Sequence, residues 1–428
     1  MRYWCEHAWL DASGVRPGVL VETSSDGMVA SVTYDEPRPL DAYRLPGLVV
    51  PGFANAHSHA FHRALRGRTH GNGGTFWTWR EGMYHLASRL DPDNYRRLAT
   101  AVFAEMALAG ITCVGEFHYV HHAPGGVPYA DPNAMAEALR QAARDAGIRI
   151  TLLDTCYLTG GIGRELSPEQ LRFSDGSVES WAERVSSLRS DATLLAGAAI
   201  HSVRAVPRSA LAPLVAARPT GPLHVHLSEQ PAENEACLEA YGMTPTELLA
   251  DAGALSPRLT AVHATHMSTK DIELLGAARA GACFCPTTEA DLADGIGPAR
   301  ELVDAGCVLS LGSDQNAVVD PLLEARALEH GERLRTGQRG RFTPVELYGA
   351  LTAHDSLGWP PGQADLVAIR LDSPRTAGSQ PEQVLLTATA EDVHTVVAGG
   401  RIVARDGRHE KLGDIGLLLA EATEDLWK

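Results

Sequence analysis

Two histidines two positions apart, His57 and His59 in AHSHAF, are the first residues of the chain that could do chemistry. On an extended segment, residues two apart share a face, so both imidazoles can aim at one cation. An H-x-H pair is a common string, and its company decides what it means. His226 closes a run in LHVHL, His263 closes LTAVH, and Asp314 follows VLSLGS. His57, His59, His226 and Asp314 together make a ligand set for a divalent metal, three imidazoles and a carboxylate, with a position left for water. The chemistry of such a set is hydrolytic. His224 shares parity with His226, but His226 lies nearer the end of its run and has Glu229 three residues beyond. His224 therefore reads as a core or supporting histidine.

Those residues need elements that carry them to one place. Apolar runs begin near Leu48, Ile111, Arg149, Leu194, Leu223, Leu259, Ala282 and Val308, with longer amphipathic stretches between them. One of these, DPNAMAEALRQAARDAG, has Asp131 near its start and Gly147 at its end, as a capped helix would. Strand-like runs alternating with helical ones predict an α/β fold, a (β/α)8 TIM-like barrel, whose chemistry gathers at the C-terminal strand ends. Residues 1–50 and 362–428 break this rhythm, with β-like strings and Gly-rich turns such as VHTVVAGGRIVARDGRH. They are expected to form one composite β-sandwich from both termini, beside a barrel spanning 51–361. Residues 322–356 read as helical and should close the barrel.

H-S-H after the first strand, H-L-S-E on the fifth, a lone histidine on the sixth and S-D on the eighth resemble the amidohydrolase superfamily. The resemblance covers essentially the whole chain. Many members of that superfamily bind two metals bridged by a carbamylated lysine on strand four. The lysines here are Lys270, Lys411 and Lys428, so none falls between the first strand and the fifth, and strand four ends in His201. The resemblance is therefore to the mononuclear deaminating branch, which implies one divalent ion per chain, with zinc expected. Imidazole and carboxylate donors also suit iron, nickel or manganese. Resemblance and ligand chemistry together imply the catalytic roles. The ion brings the pKa of water toward neutrality, and Asp314 takes the water proton. Glu229 carries a proton to the substrate nitrogen. His263 polarises and orients the attacking group. The outcome is hydrolysis at a C=N or C–N carbon with loss of ammonia.

Local strings narrow this further: HSHAFHRALRG, FWTWRE, EFHYVHH, HSVRAVP, HLSEQ, VHATH, CPTTEADLADGI and GSDQN. Together they are similar to the formimidoylglutamate deiminase family, enzymes of histidine degradation that convert N-formimino-L-glutamate and water to N-formyl-L-glutamate and ammonia. That resemblance implies substrate contacts at Arg80, Tyr119, His201, Arg204 and His62. Two carboxylates on a small substrate call for planar bidentate cations, a role that falls to Arg80 and Arg204. Tyr119 and His201 would donate hydrogen bonds. His62 is a departure, since this position is often Gln in the family; a histidine can donate one bond but can also titrate near neutral pH. Phe76, Trp77 and Trp79 read as packing that holds Arg80. The alternative function is deamination of another formimino or guanidino acid, or of an aminated heterocycle such as guanine, cytosine or a triazine. An uncharged base would not require the two arginines.

Bulk properties agree with a small-molecule enzyme. The 428 residues are 44% hydrophobic and 21% charged, and the net charge of -16 argues against a nucleic-acid partner. The opening MRYWCEHAWL lacks a basic segment followed by an apolar run, and no stretch is long and apolar enough to span a membrane. Seven scattered cysteines show no disulfide spacing. Cys283 and Cys285 read as part of an apolar strand, His266 as a loop residue, and His118, His121 and His122 as lining a loop. The expectation is a cytoplasmic enzyme, a homodimer by family likeness and by the frequency of two-fold assemblies.

Overall fold

The computed structural model describes residues 1–11, 13–69, 74 and 76–428. The chain opens with β1 (Arg2–Ala8), β2 (Arg16–Thr23), β3 (Val29–Thr33) and β4 (Tyr43–Pro51). The barrel follows with β5 (Phe53–Ser58), β6 (Ile111–His118), β7 (Arg149–Cys156) and β8 (Leu194–Ile200). It continues with β9 (Leu223–Leu227), β10 (Leu259–His263), β11 (Gly281–Phe284) and β12 (Val308–Leu311). The chain then returns with β13 (Leu366–Ile369), β14 (Val393–Ala398), β15 (Arg401–Arg405) and β16 (Arg408–His409).

β5 to β12 lie side by side in chain order, all parallel, with helices in the connections. Strands covered on both faces need apolar side chains throughout, which is why they read as short continuous runs. Every residue of β5, β6, β7, β9, β10 and β11 is buried. The ring shuts between its first and last strands. Ser58 and Asp314 form a bridge, and the N–H groups of Ser313 and Asp314 both donate to the His57 carbonyl at 3.0 Å. The His59 N–H returns a bond to the Asp314 carbonyl at 2.9 Å. Gly312 makes this approach possible: a Cβ there would stand 2.8 Å from that of His57.

The helix expected after Asp131 runs Ala134–Ala146 and ends on Gly147 at φ 73°, a left-handed cap that glycine adopts without strain. The helical stretch after β12 comprises Pro321–Thr336 and Pro344–Leu351.

The two chain ends build a second domain. Its strands form one continuous sheet in the order β16-β15-β14-β13-β4-β1-β2-β3. Tyr3, Val19, Val21 and Leu45 from the first half share a core with Leu366, Ala368 and Val397 from the second. The Tyr3 hydroxyl donates to the Gly400 carbonyl at 2.9 Å. The sheet is pinned to the barrel through buried Asp365, which accepts from Thr112 Oγ1 (2.9 Å), the Gly399 N–H (2.8 Å) and Arg149. The helix Ile415–Trp427 leaves the sheet and lies on the barrel helix Pro92–Leu108, with the Trp427 indole donating to the Ala64 carbonyl at 2.9 Å. Among the described residues, no helix is long and apolar enough to cross a membrane.

Candidate active site and metal centre

The barrel seam places the four expected ligands together. His57 Nε2 and His59 Nε2 each lie 3.4 Å from Asp314 Oδ1, and His226 Nε2 lies 3.1 Å from His57 Nε2. His59 donates from Nδ1 to the Phe117 carbonyl at 2.9 Å, which leaves its Nε2 lone pair turned to Asp314. Burial pushes the His57 imidazole down to about 3 and lowers His59 and His226, so all three stay neutral, the form that ligates. Burial works against ionisation of Asp314 too, but His57, His263 and His59 outweigh it and hold the carboxyl below its usual range. Two neutral imidazoles whose ring nitrogens converge beside a carboxylate are well satisfied by one divalent cation. The donor set fits such an ion.

Local backbone geometry aims these groups. Ser228, His263 and Asp314 all have left-handed backbones, with φ of 51°, 70° and 42°, just where the chain leaves β9, β10 and β12. Such conformations cost on the order of 1–3 kcal/mol each in non-glycine residues and persist when neighbours enforce them. Here the neighbours are backbone bonds, from the Ala264 N–H to the Leu227 carbonyl (3.1 Å) and from the His266 N–H to the Ser228 carbonyl (3.0 Å).

His263 stands between the expected ligands and Glu229. Its Nε2 is 3.8 Å from Glu229 Oε1 and 4.0 Å from Asp314 Oδ2, while its Nδ1 is 3.4 Å from Glu289 Oε1. Burial would strip its proton, but the three carboxylates raise its pKa well above the ordinary value. His263 thus faces Glu229 and Asp314, and these carboxylates favour its protonated form. Glu289 is itself fixed by the Cys285 N–H at 2.8 Å. Its role was not visible in CPTTEADLADGI, although the string contains it.

A cavity of about 670 Å³ opens onto this centre. Its lining includes every expected substrate residue: His62, Arg80, Tyr119, His201 and Arg204, together with Glu229, His263 and Asp314. Arg80 stands on the helix Phe76–Ser88 and donates from Nε to the Tyr84 hydroxyl at 2.6 Å. The Trp79 ring meets that of His62 edge to face, centroids 5.0 Å apart, so this aromatic packs the cavity wall. The Phe76 and Trp77 side chains lie outside the described residues. His62 Nε2 shares a 2.8 Å hydrogen bond with the Tyr119 hydroxyl. Burial and the neighbouring His59 push the His62 pKa well below 6.5, away from the neutral range in which a histidine at this position could titrate. It is a neutral group that holds Tyr119. His201, kept neutral by burial and by Arg204, packs its ring against Tyr157 at 4.5 Å and His226 at 5.2 Å.

Arg204 follows the end of β8 and stands between two carboxylates, Nη2 3.6 Å from Glu229 Oε2 and Nε 3.8 Å from Glu233 Oε1. Sequence reasoning missed Glu233. The available signal was its spacing: it follows Glu229 by four residues, in the first turn of the helix Pro231–Tyr241.

The remaining histidines take supporting places. His224 lies on β9 with Nε2 3.3 Å from the Ser356 carbonyl. His266 Nε2 donates to the Asp294 carbonyl at 2.9 Å, and the Gln315 amide donates to Asp291 at 2.7 Å. His118, His121 and His122 do more than line a loop, since all three are buried. His118 and His121 come close to Asp154, yet Asp154 already accepts two 2.8 Å bonds from Arg184 and one of 2.9 Å from Trp181. His121 Nε2 bonds the Thr155 carbonyl at 2.9 Å. With its acceptors taken by a guanidinium, this cluster is a structural network.

Comparison with known proteins settles the family. Residues 48–403 match the amidohydrolase family. The chain belongs to it. This amidohydrolase is a hydrolase acting on carbon–nitrogen bonds. It is 36% identical over 433 residues to the formimidoylglutamate deiminase of Pseudomonas aeruginosa, with 95% of each chain covered. It is 29% identical over 439 residues to the 8-oxoguanine deaminase of the same organism, covering 96% of this chain and 94% of that one. The crystal structure of an amidohydrolase from Brucella melitensis superposes with a TM-score of 0.91 at 29% identity, covering 100% of both chains. Of the amidohydrolase's lysines, Lys270 is exposed and paired with Glu247, and Lys411 pairs with Asp145.

Proposed function

We propose that this amidohydrolase is a deiminase of a formimino amino diacid, converting N-formimino-L-glutamate and water to N-formyl-L-glutamate and ammonia. The observation that carries the reading is the presence of Arg80 and Arg204 in the wall of the cavity that opens onto the ligand cluster. Two cations suit two carboxylates, and the similarity to a formimidoylglutamate deiminase supports the same substrate.

His57, His59, His226 and Asp314 would hold one divalent ion, zinc by donor type. When bound, such an ion supplies Lewis acidity and lowers the pKa of water toward neutrality. The residues of the chain provide the rest. Arg204 and Arg80 grip the carboxylates, and Tyr119, held by His62, and His201 orient the linear formimino group. Asp314, the carboxylate beside His263, takes a proton from the attacking water. His263 steadies the negative charge that gathers on the added oxygen as the former C=N carbon becomes tetrahedral. Glu229 delivers a proton to the departing nitrogen, which leaves as ammonia.

The test is ammonia release from N-formimino-L-glutamate, beside N-formimino-L-aspartate, guanine and 8-oxoguanine, with the zinc-loaded protein. Turnover of the first substrate well above the others is expected. Release only from a purine would replace this reading with heterocycle deamination, which the likeness to the 8-oxoguanine deaminase supports.

A further inference from the structure

Glu233 is 1% exposed, and neither of its carboxyl oxygens accepts a hydrogen bond from a side chain. Its nearest cation, Arg204, stands 3.8 Å away, and the facing Arg204 Nε also lacks an acceptor. Nη2 of the same guanidinium is 3.6 Å from Glu229. Arg204 is thus held between two carboxylates, near enough to feel both and bonded closely to neither. All three groups line the cavity.

A buried carboxylate with so few hydrogen bonds is costly unless a cation offsets it. A substrate carboxylate that binds Arg204 removes that offset and adds a second negative charge nearby. Glu233 then has to become neutral. Building on the proposed function, we propose that Glu233 is a positioning residue that acts as the resident counter-ion of Arg204. It restrains the guanidinium from collapsing onto Glu229 in the free enzyme, and it takes up a proton when a substrate carboxylate claims Arg204.

The groups facing Glu233 are Arg204 from the β8 end, His263 from the β10 end, and Glu229 and Cys237 from its own segment. Burial and the Glu229 carboxylate push its carboxyl up, Arg204, the Glu229 N–H and His263 pull it down, and the balance sits at about 7. Above that pH an ionised Glu233 competes with substrate for Arg204. Below it the site is ready for an incoming carboxylate. The acidic partner therefore tunes binding more than the chemical step.

The test uses the zinc-loaded enzyme and Glu233→Gln, which is isosteric with the protonated carboxyl. For the wild type, KM for N-formimino-L-glutamate should rise by about tenfold per pH unit above neutrality, as for one linked proton. In Glu233→Gln the KM should stay flat over the same range, with the difference between the two proteins falling on KM and not on kcat. A second measurement needs no variant. Calorimetric titration with N-formyl-L-glutamate at pH 8, in two buffers of different ionisation enthalpy, should show uptake of about one proton by the wild type. Identical KM–pH profiles in the two proteins, or binding without proton uptake, would overturn the role of Glu233 while leaving the proposed function standing. Absence of wild-type turnover in the same assay overturns the proposed function, and this inference with it.

Discussion

The barrel mouth contains two buried clusters built from the same residue types, histidines, carboxylates and one arginine. In the first, Arg184 makes 2.8 Å bonds to both oxygens of Asp154 and a further 2.8 Å bond to Asp175, with His118, His121 and His122 packed around them. In the second, Arg204 stands 3.6 and 3.8 Å from Glu229 and Glu233, and the groups beside Asp314 are the imidazoles of His57, His59 and His263. The difference is how fully the cation is committed. An arginine that completes its bonds turns a polar cluster into scaffolding. One that leaves them incomplete, beside a carboxylate that only imidazoles reach, leaves room for an ion and a substrate.

Substitutions should separate the two clusters. The largest effect is expected from Asp314→Asn, which removes the carboxylate from the ligand set. Bound metal should fall from about one ion per chain to near none, and kcat/KM by about three orders of magnitude or more. Metal analysis and ammonia release measure both, and retention of a full metal complement would remove Asp314 from the ligands. Arg184→Met should instead destabilise the fold by about 3–5 kcal/mol, by leaving Asp154 and Asp175 buried and unpaired. The midpoint of urea unfolding should drop while the folded fraction keeps its metal. If metal were lost with stability unchanged, the cluster around Asp154 would be no mere scaffold.

Arg204→Met should raise the barrier to kcat/KM for the diacid by about 2–5 kcal/mol, the usual result of truncating one side of a hydrogen-bonded charge pair. Stability should change far less than in Arg184→Met, and unchanged kinetics would exclude Arg204 from substrate binding. The smallest effect is one of pH. His118 and His121 have pKa values below the ordinary 6.5, chiefly through burial, with His121 at about 4. Asp154 is also lowered, because Arg184 and the nearby histidines outweigh its burial. Groups whose folded pKa is depressed make the unfolded chain bind more protons, so stability present above 6.5 should decline as pH falls below it. Chemical unfolding between pH 7 and pH 4 measures the slope, and a flat profile would show that the histidines are not held neutral.

Much of this could be read without coordinates, and the limits have physical causes. His57, His59, His226, His263 and Asp314 were legible because each ends a strand-like run, and a parallel barrel brings such ends together. Arg80 and Arg204 followed from local strings. Glu233 and Glu289 were missed because their importance depends on which way a helix turns them across a loop. The charge state of His62 depended on burial, which residue type does not reveal. The histidines after β6 looked like loop residues because the partner that makes them structural, Arg184, lies on the helix Val178–Ser186, far along the chain. The terminal domain was recognisable as β-structure, but its single sheet depends on β4 pairing with β13, strands separated by the whole barrel.

The closure of the ring between His57 and Asp314 has one more consequence. An ion bound by both residues is a cross-link between the first and last strands, spanning the longest loop that the barrel contains. Like other clips that close long loops, it restricts the open chain more than it strengthens any local contact. Unlike a disulfide, it is released by acid or by a chelator. Taking the metal away would therefore do two things at once: disarm the enzyme and unfasten the strand pair on which the roundness of the barrel depends.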